Sequence, residues 1–561
     1  MSNIVSEIRD DLIIEIKDAI RRAVDEEILN LDNPPDDVML EVPREEGHGD
    51  YATNIAMVLA GQAGMAPRDI AQVIVDNLAE LELVSKVEIA GPGFINFYLV
   101  DEWLYQIIET VLNEKEDYGK SNFGNGKKVQ IEFVSANPTG PLHVGHGRGA
   151  VAGDVLGNIM SAAGFDVAKE YYINDAGNQM ELLGKSVALR YQELLGADIT
   201  MPENSYQGDY IEKIAAKIET EYGDKYLTDV QDGNYEFFRE FAYEQLLANI
   251  KADLQAFGIE FDNWFSERKL HQEDKIGEVV AQLKEDGYLY EEEGALWLKS
   301  TDFGDDKDRV VIKDNGVPTY LAADIAYHDN KYQRGFEEVI NVWGADHHGY
   351  IARMKAAVEA LGYSPEMLKV IIVQMVTLLR DGKQVSMSKR AGDFITLRDV
   401  VDEVGCDAAR YFYVMRSTDS HLDFDLDLAK EESAENPVYY IQYAHARICS
   451  ILDQIKKEEI KIEDVSGVDL ERLDTEVELD LIQKLGDYPE ELAESAKSRE
   501  PHHMARYAYE LAAQFHSFYN KCHVLIQDEE VMQARLQLVL AVKQVLSNLL
   551  NILGVSAPES M

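Results

Sequence analysis

The sequence has few basic residues for its size. Its 561 residues include 53 Lys and Arg against 103 Asp and Glu, which gives a formal net charge of −50. Contacts to phosphate groups need Lys and Arg, so this balance taken alone argues against a nucleic-acid partner. Any surface that binds a polyanion must therefore be a local basic or polar patch on an acidic molecule.

Cysteine and long apolar runs are also scarce. Cys406, Cys449 and Cys522 are odd in number and lack metal-ligand spacing, so we expect reduced thiols, no bound metal and a cytoplasmic location. The sequence contains no run of 18 or more apolar residues, so we expect no membrane span. The N-terminus mixes charged and apolar residues at helical spacing, unlike a secretory signal. A hydrophobic fraction of 46% is enough to bury several cores.

The length predicts three or four domains. Residues 1–115 are typical of an α+β domain, in which 51–63 has helical periodicity and 84–99 reads as two strands around a Gly-Pro-Gly turn. Strands that alternate with helices predict an α/β domain with a parallel sheet over 116–400, with a helical insertion around 183–285. We expect a connecting region at 401–430 and an all-helical domain at 431–561.

The most specific local pattern is a loop with two histidines, SANPTGPLHVGHGRGA, which follows a predicted strand directly. A helix rich in small residues is predicted from Gly145, so His143 and His146 would lie where a strand turns into a helix N-terminus. Backbone N–H groups and the helix dipole favour phosphate there. The alternatives are ordinary loop histidines and a zinc pair. A zinc pair needs a third ligand, and no Cys or Glu has suitable spacing.

A second loop, GKQVSMSKRAGDFITL, carries a lysine at position 389. A lysine on a small polar loop can stabilise the charge of a departing pyrophosphate without transferring a proton. Taken alone, the Ser-Lys pair reads better as a solvated surface turn.

Together, HVGH and MSK resemble the two ATP-binding motifs of class I aminoacyl-tRNA synthetases. Flanking segments, including YYINDAGNQM, GPGFINF and ENPVYYIQYAHAR, are similar to arginyl-tRNA synthetases of the bacterial type. The resemblance covers the whole chain. It implies a Rossmann-like catalytic domain, an N-terminal α+β domain and a C-terminal all-helical anticodon-binding domain. It also implies that the chain activates L-arginine with ATP and transfers it to the 3′ end of tRNA(Arg). ATP would be a substrate, and Mg²⁺ would bind together with it.

The resemblance also implies roles for individual residues. His143, His146 and Lys389 would be catalytic. The positions implied to bind ATP are Pro138, Gly140, His143, Gly145, His146, Gly344, Asp346, Met387, Ser388 and Lys389. The positions implied to bind arginine are Ser135, Asn137, His146, Tyr320, Asp324 and His347. Ser386 replaces the first lysine of the second motif, and Thr139-Gly140 stands where many arginyl enzymes carry a compensating lysine, so Lys389 should be the functional cation.

Substrate choice should depend on Tyr320 and Asp324, which are spaced i,i+4 and so share one face of a helix. A carboxylate can pair with a guanidinium through two parallel hydrogen bonds, which the compact ammonium of lysine cannot match. The alternative from sequence alone is an amphipathic surface helix with Tyr320 in the core.

Two further regions are implied to contact tRNA. Phe94 and Asn96 match positions that contact a D-loop base, although Phe94 as a core residue and Asn96 as a turn residue remain an alternative. Tyr443 and Arg447 belong to a Tyr-rich helical face that could stack anticodon bases. At this spacing we expect at least two of Tyr439, Tyr440 and Tyr443 to be core. We read His502, His503 and His516 as helical histidines with satisfied hydrogen bonds.

Three rival functions fit the sequence less well. The nearest is a class I synthetase for another amino acid, such as cysteine or glutamate. A cysteinyl enzyme would show zinc ligands, which are missing. A nucleotidyltransferase with HxGH would leave both flanking domains without a role. A non-catalytic RNA-binding paralogue would be expected to lose His143, His146 or Lys389, and all three are present. The expected protein is a monomeric enzyme.

Overall fold

The computed structural model describes residues 4–31, 33–35, 37–43, 47–79, 81, 83–100, 102–385 and 395–561. The second predicted ATP motif, Met387-Ser388-Lys389, lies outside these residues.

The N-terminal domain packs helices against a three-stranded antiparallel sheet of order β1-β3-β2. The hairpin predicted at 84–99 is confirmed. The helix predicted from residue 51 is wrong at its start, because 51–53 pairs with β3 and the helix begins at Ile55. The elements are α1 (Ile4–Asp25), β1 (Tyr51–Thr53), α2 (Ile55–Ala63), α3 (Pro67–Asp76), β2 (Val84–Ala90), β3 (Phe94–Leu99) and α4 (Glu102–Glu114).

The next part of the chain alternates strands and helices, as predicted. Its first half comprises β4 (Lys128–Glu132), α5 (Val144–Ala162), β5 (Asp166–Ile173), α6 (Asn178–Leu194), α7 (Asp209–Tyr222), α8 (Leu227–Gln231), α9 (Glu236–Ala256), β6 (Asn263–Ser266), α10 (Glu267–Gln272) and α11 (Lys275–Glu285). The predicted insertion around 183–285 is therefore not wholly helical, because β6 is a strand of the central sheet.

The second half adds two small sheets, of order β7-β8-β9 and β13-β12-β14. It comprises β7 (Leu289–Glu292), β8 (Ala295–Leu298), β9 (Arg309–Ile312), α12 (Tyr320–Gln333), β10 (Glu338–Gly344), α13 (Ile351–Ala360), β11 (Leu368–Val373), β12 (Val376–Arg380), β13 (Lys383–Gln384), α14 (Leu397–Val404), α15 (Cys406–Val414), β14 (Leu422–Asp425) and α16 (Leu426–Lys430).

The central sheet has the order β11-β10-β4-β5-β6, and all four neighbouring pairs are parallel. The chain moves from β4 outward to β6 and later returns to the other side of β4 as β10 and β11. The strand order therefore reverses between β4 and β10. Open parallel sheets bind ligands at the carboxyl ends of the strands beside such a reversal. This confirms the predicted fold class and places the candidate site above β4 and β10.

The C-terminal domain is helical, as predicted, with α17 (Pro437–Lys457), α18 (Glu476–Ser498), α19 (His502–Lys521) and α20 (Glu529–Leu553). Among the described residues, α20 is the one helix long and apolar enough to cross a bilayer, and 72% of its most apolar window is buried within the protein. Such burial is typical of the core helix of a helical domain. His445 of α17 donates from Nδ1 to the carbonyl of Pro558 (2.8 Å), which fixes the C-terminal tail to this domain.

Two arginines join the helical domain to the catalytic domain. Arg410 is fully buried and donates to the carbonyls of Leu553 and Phe257, at 3.0 Å each, and to Asp154 of α5. Arg499, the residue after α18, donates from Nε (2.8 Å) and from a terminal nitrogen to the buried carboxylate of Glu338 at the start of β10.

Candidate active site

The loop after β4 leaves the sheet through two residues with left-handed backbone, Val134 (φ 65°) and Ser135 (φ 39°). Such angles are uncommon in residues with a Cβ and cluster at functional sites. Hydrogen bonds hold the turn in place. Ser135 Oγ donates to Glu132 (2.9 Å) and accepts from the backbone N–H of Tyr172 on β5 (3.1 Å). The loop therefore has a defined shape at the carboxyl edge of the sheet.

The remaining predicted loop residues lie along the same stretch. Asn137 donates from its side chain to Gln179 (2.7 Å), and its carbonyl accepts from the N–H of Thr139 (2.7 Å). Pro138 is buried, and Gly140 lies against Tyr210, whose hydroxyl donates to the carbonyl of Thr139 (2.9 Å). The helical insertion thus supports the outer side of this loop.

His143 and His146 form the cap of helix α5. Nδ1 of His143 accepts from the N–H of Gly145, and Nδ1 of His146 accepts from the N–H of His143, at 3.1 Å each. The two rings stack with centroids 3.7 Å apart. Because each Nδ1 accepts a hydrogen bond, the ring hydrogen of each imidazole is assigned to Nε2. Both histidines are thereby oriented as Nε2 donors at a helix N-terminus, which suits a phosphate ligand.

Helix α5 contains several glycines because neighbouring side chains pack directly on its backbone. A Cβ at Gly147 would meet the ring of Tyr413 at 2.8 Å, and a Cβ at Gly153 would meet the ring of Phe133 at 2.3 Å. Arg148 on this helix is fully buried and donates to the carbonyls of Gln374 (3.0 Å) and Ser417 (2.7 Å). Burial lowers the pKa of Arg148 to about 10. The helix is therefore fixed in position relative to the loops around it.

The segment that follows the second motif is attached to the first motif. Thr396 forms an antiparallel bridge with His143, and the N–H of Val144 donates to the carbonyl of Ile395 (3.2 Å). The N–H of Leu397 donates to the carbonyl of Leu142 (2.8 Å). Lys389 itself lies outside the described residues. Ile395 and Thr396, six and seven residues further on, lie beside Val144 and His143.

Helix α12 carries Tyr320 and Asp324, the two residues predicted to bind the arginine side chain. Tyr320 is its first residue and is 61% exposed, so the alternative with Tyr320 in the core is wrong. Most of α12 is buried, so it is not a surface helix. Asp324 lies one turn further on and accepts a hydrogen bond from the hydroxyl of Tyr350 (2.6 Å). Burial, together with the carboxylates of Glu132 and Glu267, raises the pKa of Asp324 to about 7.

Two further carboxylates, Glu132 and Glu267, lie near Asp324, although no sequence motif marks them. Both are buried, and both face Asp324 closely enough to perturb its pKa. The hydroxyl of Tyr172 donates to Glu267 (3.0 Å). The cluster has one nearby lysine, Lys331, whose Nζ donates to Glu132 (2.5 Å). Three carboxylates with one lysine form an electronegative cluster, which suits a cationic ligand.

A buried network connects this pocket to the sheet. Lys331 also donates to Oδ1 of Asn341 on β10 (3.0 Å), and Nδ2 of Asn341 donates to Nε2 of His328 (2.9 Å). Nδ1 of His328 donates to the carbonyl of Asp324 (2.8 Å). Burial lowers the pKa of His328 to about 3, so the ring stays neutral and its tautomer fits both bonds. A buried polar network that is fully satisfied holds its members in one arrangement.

The end of β10 brings Gly344, Asp346 and His347, which are also predicted site residues, to the same edge of the sheet. Gly344 ends the strand, and the turn Ala345–Tyr350 follows. Asp346 and His347 are exposed, and Nε2 of His347 lies 3.6 Å from Oδ2 of Asp346. The centre of the His347 ring is 5.9 Å from that of Trp343. The turn ends in Tyr350, the partner of Asp324. The structure thus brings the histidine loop, the side-chain pocket and this turn together.

The two predicted tRNA surfaces lie on the flanking domains. Phe94 and Asn96 are two residues apart on β3 and so share one face of the sheet. Phe94 is half-buried, whereas Asn96 is 3% exposed and lies inside the strand, not in a turn. Their proposed contact with a D-loop base stays a prediction.

On the C-terminal domain, Tyr443 is 36% exposed, and the guanidinium of Arg447 lies 4.6 Å from its ring and 4.6 Å from that of Tyr519. Tyr439 and Tyr440 are only half-buried. The expectation that at least two of the three tyrosines are core residues is therefore wrong. The helix presents an aromatic face with one arginine between rings.

The three helical histidines do not form one group. His516 lies beside Arg447 (3.2 Å), whereas His502 and His503 lie beside Glu500. Among the described residues, Glu500, His502 and His503 form the one group of such side chains whose ligating atoms all lie within 4.8 Å of one another. His503 already pairs with Glu500 at 3.3 Å.

Comparisons with known proteins agree with this geometry. Family models match residues 11–99 (arginyl-tRNA synthetase N-terminal domain), 107–448 (class I tRNA synthetase catalytic domain, arginine type) and 441–561 (DALR anticodon-binding domain). The arginine–tRNA ligase of Geobacillus thermodenitrificans is 52% identical over 562 residues, with 100% of each chain covered.

Solved structures match as well. A candidate arginyl-tRNA synthetase from Campylobacter jejuni is 38% identical with a TM-score of 0.77, covering 82% of this chain and 100% of the other. The arginyl-tRNA synthetase of Thermus thermophilus shares the fold at 22% identity, with a TM-score of 0.74, covering 99% and 100% of the two chains. The site's geometry and these matches together show that the chain belongs to the arginyl-tRNA synthetase family of class I aminoacyl-tRNA synthetases.

Proposed function

We propose that the site above catalyses arginine–tRNA ligation by positioning and charge stabilisation, without a covalent bond to the protein. Membership of the family makes the chain an ATP-dependent arginine–tRNA ligase. In the first step, the carboxylate of L-arginine attacks the α-phosphorus of ATP and pyrophosphate leaves. In the second, a hydroxyl of the terminal tRNA ribose attacks the carbonyl of arginyl-adenylate and AMP leaves. Oriented donors and a fixed substrate geometry are sufficient for both.

The ATP site is assigned to the N-terminus of α5 and the two loops beside it. His143 and His146 would donate from Nε2 to phosphate oxygens, next to the backbone N–H groups of the helix. Lys389 would stabilise the departing pyrophosphate. The attachment of Ile395 and Thr396, six and seven residues after Lys389, to the histidine loop supports this role.

The remaining ATP positions are proposals of the same kind: Pro138, Gly140 and Gly145 along the first loop, Gly344 and Asp346 at the ribose, and Met387 and Ser388 beside Lys389. Mg²⁺ would enter with ATP, since it prefers substrate phosphates with one or two carboxylates to an all-protein cage.

The arginine site is assigned to Ser135, Asn137, His146 and His347 for the backbone end of the substrate, and to Tyr320 and Asp324 for the guanidinium. The observation that carries this assignment is the electronegative pocket in which Asp324 faces Glu132 and Glu267. Since Glu132 also holds Ser135 (2.9 Å), the two ends of the arginine site share one carboxylate. We add Glu132 and Glu267 to the proposed pocket.

The flanking domains are proposed to bind tRNA(Arg), through Phe94 and Asn96 at the elbow and through Tyr443 and Arg447 at the anticodon. The domain limits proposed are 1–115, 116–400, 401–430 and 431–561. We further propose that the protein acts as a monomer in the cytoplasm, away from membranes.

ATP–pyrophosphate exchange in the presence of tRNA, with each amino acid in turn, tests the substrate assignment. Arginine should support exchange and lysine should not, because an ammonium cannot pair with the pocket as a planar fork does. Exchange with lysine or glutamate but not with arginine would contradict the proposal.

The same assay tests Asp324. Asp324→Asn should raise the KM for arginine far more than the KM for ATP. As a matched control, Asp329→Asn alters a carboxylate of the same helix that contacts Tyr363 and should leave the KM for arginine near that of the wild type. An equal rise of both KM values in Asp324→Asn would remove the guanidinium role.

A further inference from the structure

We propose that Tyr350 is a positioning residue for arginine recognition, whose hydroxyl holds the carboxylate of Asp324 in the orientation and the ionised form that a guanidinium needs. This inference rests on the proposed role of Asp324 as the group that binds the guanidinium.

The phenol of Tyr350 is aimed at Asp324 by its neighbours. Its hydroxyl donates to Oδ2 of Asp324 at 2.6 Å. The guanidinium of Arg353 lies 4.6 Å from the centre of its ring, and the ring of Trp343 packs edge-on at 5.9 Å. Because the ring is held on two sides, the position of the hydroxyl is set by packing and not only by the bond to Asp324.

The direction of this hydrogen bond leaves room for a substrate. Burial is the main cause that raises the pKa of Tyr350, and the negative charge of Asp324 is the second. The phenol therefore stays protonated and donates at neutral pH. It uses one acceptor position on Oδ2. A carboxylate has about four acceptor positions, so Oδ1 and the rest of Oδ2 can accept the two parallel N–H bonds of a guanidinium.

The ionised form of Asp324 needs this support because its surroundings oppose it. Glu132 of β4 and Glu267 of α10 repel its negative charge, Lys331 of α12 attracts it, and Tyr172 of β5 also faces it. Burial is the largest influence, and it raises the pKa of Asp324, whereas the bond from Tyr350 lowers it. Without that bond Asp324 would keep its proton to a higher pH, and a neutral carboxyl cannot form the charge-assisted pair.

Tyr350 also belongs to the turn after β10 that carries Asp346 and His347. The bond to Asp324 therefore ties the turn proposed to hold ribose and substrate to the helix that reads the side chain. A shift of either element would disturb both.

The test is equilibrium binding of L-arginine to the full-length protein by titration calorimetry, from about pH 6 to about pH 9, for the wild type and Tyr350→Phe. For the wild type, affinity should rise as pH increases through about 7, since Asp324 loses its proton there. For Tyr350→Phe, the affinity at pH 7 should fall roughly tenfold. The midpoint of the rise should move up by about one pH unit, and most of the affinity should return at the alkaline end. ATP affinity should stay near that of the wild type, because a phenylalanine ring keeps the contacts with Trp343 and Arg353 that hold the turn in place.

Two controls separate this inference from the proposed function. Tyr363→Phe removes a similar bond on the same helix, from Tyr363 to Asp329 (3.1 Å), and should leave the arginine profile unchanged. Asp324→Asn should abolish the pH-dependent rise. If Asp324→Asn binds arginine as the wild type does, the guanidinium role of Asp324 is wrong. If Asp324→Asn loses binding but Tyr350→Phe keeps the wild-type midpoint, the inference about Tyr350 is wrong. Thermal unfolding of Tyr350→Phe checks that the ring's other contacts keep the fold.

Discussion

At the scale of the residue, His143 combines two tasks that its two ring nitrogens keep separate. Nδ1 caps helix α5 by accepting from the N–H of Gly145. Nε2 is the donor proposed to contact phosphate. A substitution that removes both nitrogens would thus mix a loss of stability with a loss of catalysis.

Asparagine separates these tasks, because it is a good N-cap but lacks the donor at the position of Nε2. His143→Asn should keep the unfolding free energy near that of the wild type and slow ATP–pyrophosphate exchange by about a hundredfold. His143→Ala should be equally slow and also lose about 1 kcal/mol of stability. Urea unfolding and exchange assays on both variants measure this. Wild-type exchange in His143→Asn would show that the histidine is only a cap.

At the scale of the element, α5 is shaped by close packing on its glycines. Gly153→Ala would place a methyl 2.3 Å from the ring of Phe133. Overpacking of this kind costs about 1–3 kcal/mol. At Gly149 the nearest contact for a methyl is Val342 at 4.0 Å, which is ordinary contact distance. Gly149→Ala should therefore stabilise the helix by up to about 1 kcal/mol through helix propensity. Chemical unfolding of both variants gives the comparison, and equal effects would rule out close packing as the reason for Gly153.

Elements with strong periodicity or a distinctive motif were predictable from sequence. The hairpin at 84–99 and the histidine loop are examples, because their signals are local. The strand at 51–53 was mistaken for the start of a helix, because its state depends on pairing with β3, far along the chain. Strand β6 was hidden within a helical stretch for the same reason.

The candidate site shows the same division. Tyr320 and Asp324 could be identified because i,i+4 spacing is a local property. Glu132, Glu267 and Tyr350 could not, because they come from three other elements and meet Asp324 only in the folded chain. Lys389 was assigned by its motif, and its own position stays untested.

At the scale of the whole molecule, Arg499 links the helical domain to the start of β10, the strand whose other end carries Gly344. Glu338 is buried and also accepts from Lys127 (2.6 Å). Burial opposes its ionised form, but these cations outweigh it and lower the pKa of Glu338.

Arg499→Gln should destabilise the protein by about 2 kcal/mol, below the usual cost of breaking a buried ion pair, because Lys127 remains as a partner. Arg506→Gln is a matched control, since Arg506 is exposed and its carboxylate contacts are 3.7 and 3.9 Å long. It should cost less than about 1 kcal/mol. Urea unfolding of both variants measures the difference. Equal stability of the two would show that the link to Glu338 contributes little to the joining of the domains.

The central claim is that one edge of the sheet brings together a phosphate site and a pocket for a flat cation. A crystal structure with a non-hydrolysable analogue of arginyl-adenylate tests it most directly. We predict that the phosphate lies at the N-terminus of α5, beside His143 and His146, and that the guanidinium forms two parallel hydrogen bonds with Asp324. A phosphate bound away from α5, or a guanidinium directed away from Asp324, would contradict the account.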